Sequence, residues 1–117
     1  MHFKAGAIIV ARVDFKDSPT PQYKNRPVMV ISFQDDYYTV APITGTNRTN
    51  ICLGKWIIKD SPTGVAMGLR KDSFINMSAI INLPPFATGE KIGVCPIFPE
   101  LMALLKSGSP GQQTLKF

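Results

Sequence analysis

Ten prolines are distributed over 117 residues, and this spacing constrains the fold more than any other feature of the chain. A proline inside a helix removes a backbone donor and clashes with the preceding turn, so little room is left for long helices. Between the prolines, Gly, Asn, Asp and Ser recur at short intervals and separate apolar runs, as in chains of short strands joined by turns. Ala7 to Phe15 is rich in Ile and Val and reads as a buried strand. Residues 16 to 26 (KDSPTPQYKNR) read as a flexible polar loop. Pro27 then opens the run Val28-Met29-Val30-Ile31, at the first position of a strand, where a missing N–H is tolerated. Gln34-Asp35-Asp36 reads as a hairpin turn into a strand from Tyr37 to Ile43, which makes the two strands antiparallel neighbours.

A second polar loop runs from Gly45 to Asn50 and leads into a strand from Ile51 to Ile58. Asp60-Ser61-Pro62-Thr63-Gly64 is a strong turn signal, and Val65 to Leu69 and Ser73 to Leu83 read as strands around the charged corner Arg70-Lys71-Asp72. One short helix is expected near the C-terminus. Pro99 suits its first position, Leu101, Leu104 and Leu105 form its apolar face, and Lys106 with Gly108 ends it. The pattern predicts a mainly β domain over residues 1–106, a small barrel of five to seven strands with a C-terminal helix, followed by a loose tail over 107–117.

With 44% hydrophobic and 18% charged residues, the composition is that of a folded domain rather than a disordered chain. The longest apolar runs resemble Ala7 to Ala11, far short of the roughly 20 residues a bilayer crossing needs. The N-terminus has no basic-then-apolar signal layout, so a cytoplasmic protein is expected. The cysteines, Cys52 and Cys95, are far apart and His2 is the lone histidine, an inventory too small for a Cys/His zinc site or a mid-chain histidine triad. Both cysteines read as inert packing positions. The formal net charge is +5, which suits a polyanion partner and equally suits ordinary solubility. Basic residues gather at Lys24 and Arg26 and again at Arg48, Lys55 and Lys59.

Three segments, taken in order, resemble the MazF/PemK family of toxin ribonucleases. Gly6-Ala7-Ile8-Ile9-Val10 followed by a polar loop and Arg26-Pro27-Val28-Met29-Val30-Ile31-Ser32 is similar to the family's glycine-led strand and its Arg-Pro strand entry. Val40-Ala41-Pro42-Ile43-Thr44 is like its Pro-Ile-Thr strand end, and Gly68-Leu69-Arg70-Lys71-Asp72-Ser73 is like its Gly-Leu-Lys-x-x-Ser motif. With the Leu-rich terminal helix, the resemblance spans roughly residues 4 to 106. It implies an SH3-like barrel of the MazF/PemK/CcdB type, usually a homodimer held in check by a cognate antitoxin.

The resemblance further implies cleavage of single-stranded RNA with no metal ion or other cofactor. The ribose 2′-hydroxyl attacks the adjacent phosphate and leaves a 2′,3′-cyclic phosphate and a 5′-hydroxyl. Such chemistry needs a base, donors for the phosphate charge and an acid for the leaving oxygen. Arg26 matches the family's catalytic arginine and Thr44 its threonine at the end of the third strand. RNA contacts are expected from Gln22, Tyr23, Lys24, Thr46, Asn47, Arg48, Lys55 and Ser78, on the general grounds that basic grooves and aromatic rings hold single strands. Asn47 and Asn50 also suit plain turn formation, Trp56 suits a core or interface position, and one of Tyr37 and Tyr38 is expected to face inward. The sequence departs from the family at Ser78, where many members carry an aspartate. It also has Thr20 and Pro21 in place of the His-Glu pair of some members. With Asp14 and Asp17 as substitutes that no spacing supports, the general base is unassigned. The alternative is a catalytically degenerate module that binds RNA or an antitoxin. CcdB, a gyrase poison on the same fold, is not matched in its C-terminal motif.

Overall fold

A computed structural model describes residues 2–15 and 22–107, with the backbone alone for 13–15 and 22–24. The fold is mainly β. Seven strands are joined in one antiparallel sheet, β1 (Ala7–Phe15), β2 (Gln22–Gln34), β3 (Tyr37–Thr44), β4 (Gly54–Ile57), β5 (Ser73–Asn76), β6 (Ile81–Leu83) and β7 (Thr88–Val94), with helices α1 (Pro62–Met67) and α2 (Phe98–Ser107). The strand order is β4-β5-β3-β2-β1-β7, and β6 pairs with β3 beside β5. Among the described residues β4 and β7 do not pair, so the expected barrel is an open sheet rather than a closed one.

The continuous apolar runs follow from burial on both faces of the central three strands. Ile8, Met29, Ala41 and Ile43 face a core that also holds Leu101 and Leu104 of α2. Their neighbours Ile9, Val28, Val30 and Val40 face a second core with Tyr38 and Leu83. The β2–β3 hairpin closes as the sequence predicts. Asp35 and Asp36 both take positive φ, 53° and 63°, which gives a two-residue turn the twist its strands require. Tyr38 is buried and Tyr37 is half exposed.

Several expectations are corrected. The polar stretch before Pro27 is not all loop, because Gln22 to Arg26 belong to β2 and pair with Phe15 to Ala11 of β1. Pro27 therefore lies inside a strand, opposite Val10. Ile51 to Leu53 fall in a turn before β4, and Ser73 to Leu83 is two strands separated by a turn. The segment Val65 to Leu69, read as a strand, mostly lies in α1. Ser61 caps that helix by accepting from the Gly64 N–H, Pro62 sits at its start, and Gly68 ends it in the left-handed region at φ 73°. These caps outweigh a short apolar run whose period is ambiguous. β7 had no counterpart in the sequence reading, its Gly-Glu-Lys composition being poor in strand formers. The tail beyond residue 107 and the loop at 16–21 lie outside the described residues.

Candidate nucleic-acid interface

The last β2–β3 pair is Val28 with Pro42; beyond it β3 turns to pair with β5 through Ile43 and Thr44. Pro27 and Pro42 stand at this parting, and neither has an N–H to continue a ladder. The strands thus diverge where the chain lacks donors to hold them together. A cleft of about 730 Å³ opens there, walled by Asn25, Arg26 and Pro27 on one side and Ile43 and Gly45 on the other. Val10 of β1 lies between the walls and the β7 residues Glu90 and Ile92, and the α1–β5 connection contributes Gly68 to Lys71 and Ser73.

The α1–β5 connection is held firmly. At Gly68 a Cβ would stand 2.3 Å from the Ile92 carbonyl oxygen, so α1 can end against β7 only with glycine at that position. The Ser73 hydroxyl donates to the Lys71 carbonyl at 2.9 Å, and the Asp72 carboxylate accepts from the Lys59 N–H at 2.9 Å. Lys71 then lies beside Gly45, its Nζ 3.0 Å from where a Cβ on that glycine would lie. Arg26, Arg70, Lys71 and Glu90 line the same cleft. Three cations against one carboxylate give the cleft a net positive lining, which favours anions over cations.

Of the residues expected to act, Arg26 is half-buried and lines the cleft. Thr44 lies between two lining residues, Ile43 and Gly45, without lining the cleft itself. Its Oγ1 is buried and has no hydrogen-bond partner. Thr46, Asn47 and Arg48 follow Gly45 on an exposed loop outside the cleft. The Asn47 side chain accepts from the Thr49 N–H at 3.1 Å and from the Thr49 hydroxyl, so it shapes that turn. Lys55 is half-buried on β4 and does not line the cleft. Ser78 also lies outside it. Its hydroxyl accepts from the Leu53 N–H at 2.6 Å, and its own N–H donates to Asn76 Oδ1 at 2.9 Å, tying the β5–β6 turn to the segment before β4. Gln22, Tyr23 and Lys24 precede Asn25 on β2; their side chains, that of Asp14 and all of Asp17 lie outside the described residues.

The sequence reading did not select Asn25, Arg70, Lys71 or Glu90 as site residues. For Arg70 and Lys71 a signal existed, because both fall inside the Gly-Leu-x-x-x-Ser segment. Glu90 had none, as an isolated acid in a strand the reading did not find. Both cysteines are free thiols, and Cys95 is buried. Burial pushes its pKa above the ordinary value, a backbone hydrogen bond at Ile97 pulls against that, and the nearby Glu100 charge adds to the rise. This suits a packing position rather than a nucleophile. Among the described residues no group of three or more His, Cys, Asp or Glu is placed to hold a metal, and no helix is long and apolar enough to cross a membrane.

In comparisons with known proteins, no family model matches this chain and no curated protein matches it in sequence.

Proposed function

We propose that this protein is a toxin-like endoribonuclease that cleaves single-stranded RNA without a metal ion. The observation that carries the reading is convergence: each of the three segments resembling the MazF/PemK family sends residues into one cleft. Arg26 and Pro27 come from the first, Ile43 from the second, and Gly68 to Lys71 with Ser73 from the third. In this reading the RNA backbone lies along the cleft. Arg26 presents its planar fork to the scissile phosphate, where two donors can hold two oxygens as charge grows. Arg70 and Lys71 neutralise the flanking phosphates. The 2′-hydroxyl attacks in line, giving a 2′,3′-cyclic phosphate and a 5′-hydroxyl. A homodimer and an antitoxin whose acidic segment covers the basic cleft belong to the same proposal.

The test is incubation of purified protein with single-stranded RNA in EDTA. The expected result is cleavage leaving cyclic phosphate ends, abolished by Arg26→Ala. RNA left intact after prolonged incubation would overturn the enzymatic reading.

One observation favours a second reading, a binding module without turnover. Ser78 stands where many family members carry an aspartate, and its hydroxyl is engaged with the Leu53 N–H. Such a module binds RNA with steep salt dependence and leaves it whole.

A further inference from the structure

We infer that Glu90 is the general base of this cleft. The inference rests on the ribonuclease reading and supplies the one group that reading lacks. Among the described residues, Glu90 is the only carboxylate lining the cleft that Arg26, Arg70 and Lys71 line.

Its placement comes from an irregularity of the sheet. Along β1, Ile9 pairs with Lys91 and Ala11 pairs with Thr88, so Val10 alone faces two β7 residues, Gly89 and Glu90. This two-against-one count is a β-bulge, a device that re-aims a side chain and recurs beside active sites. Gly89 permits it, since a Cβ there would stand 2.9 Å from the Val10 carbonyl oxygen. On the other side of β1, Ala11 pairs with Arg26 and Val10 with Pro27. Arg26 and Glu90 therefore flank β1 from its two neighbouring strands, with backbones roughly 10 Å apart at the usual strand spacing. Both residues line the cleft, and Val10 lies between them. The two residues therefore belong to the lining of one cleft, with β1 running between their strands.

A Glu90 carboxylate oxygen takes the proton of the 2′-hydroxyl while O2′ forms a bond to phosphorus. The P–O5′ bond breaks, its electron pair stays on O5′, and that oxygen takes a proton from water at the cleft mouth. The hydroxide so formed takes the proton from Glu90, restoring the carboxylate. Arg26 holds the non-bridging oxygens throughout and changes no protonation state.

The experiment compares wild type, Glu90→Gln and Glu90→Asp on an RNA oligonucleotide. In parallel it measures binding of the uncleavable 2′-deoxy analogue and the melting temperature. Glu90→Gln is expected to cleave at least about 100-fold more slowly, the usual scale for a lost general base. It should bind the analogue as tightly as wild type or more tightly, since a negative charge has left a cleft that binds anions. Glu90→Asp should recover part of the rate. The inference is overturned, with the ribonuclease reading intact, if Glu90→Gln cleaves within about threefold of wild type. It is also overturned if binding is lost along with cleavage, which would make Glu90 a binding or structural residue. Should Glu90→Gln melt early, Glu90→Asp decides alone: a folded aspartate variant with no activity overturns the base role, and one with partial activity supports it. A wild-type protein that leaves RNA intact overturns both readings together.

Discussion

Gly93 of β7 lies against Met67 of α1 so closely that a Cβ on the glycine would stand 2.3 Å from the Met67 carbonyl carbon and 2.5 Å from the Ala66 oxygen. The contact is between backbones, so no side chain can swing aside to relieve it. It fixes the end of α1 on β7, and the residues that leave α1 there are the ones that enter the cleft. Gly93→Ala must therefore separate helix from strand. Overpacking of this kind costs roughly 2–3 kcal/mol, to be read as a lower urea midpoint with an unchanged slope. The same variant should bind single-stranded RNA more weakly, because Arg70 and Lys71 lose their mooring. An unaltered midpoint would show that α1 is not clamped.

Lys71 offers a test of binding that is independent of catalysis. Its ammonium lies beside Gly45 on the cleft lining, whereas Lys106 sits exposed in the last turn of α2. On single strands each neutralised phosphate contributes about 0.7 to the slope of log affinity against log salt. Lys71→Ala should lower that slope by about this amount when measured with an uncleavable oligonucleotide, and Lys106→Ala should leave it unchanged. Equal effects from the two substitutions would mean that binding follows net charge rather than the cleft.

The sequence made the central hairpin legible because local chemistry and global fold agree there. Asp35-Asp36 suits the turn, and the runs on either side have the length and composition of buried strands. It misled at Val65 to Leu69, where four apolar residues outweighed the Ser61-Pro62 start and Gly68 stop that were both visible. β7 was hidden for a different reason. Its exposed Gly-Glu-Lys stretch is held as a strand by pairing with β1, a non-local contact that no window of sequence contains. The candidate site divides along the same line. Arg26, which lines the cleft, stood out through its Arg-Pro motif, and Glu90 did not stand out, because its position depends on a bulge counted against a strand some eighty residues earlier. Ser78 was noticed as a departure, yet its bond to Leu53 joins two turns whose proximity only the fold creates.

Thr44 yields the sharpest separation of stability from activity. Its Oγ1 is buried with no partner at the end of β3, between two residues that line the cleft. An unsatisfied buried hydroxyl destabilises a fold by about 1 kcal/mol or more. Valine has nearly the same shape without that polar atom, so Thr44→Val should raise stability by about 1 kcal/mol, read as a higher urea midpoint. In the proposed reaction this hydroxyl is the phosphate donor that the family resemblance assigns at Thr44. Cleavage by Thr44→Val is therefore expected to fall at least tenfold, the order expected when a general acid–base or donor group is lost, while Thr44→Ser keeps most of the wild-type rate. A valine variant that is both more stable and fully active would reduce Thr44 to a strand terminator and leave the phosphate to Arg26 and its neighbours.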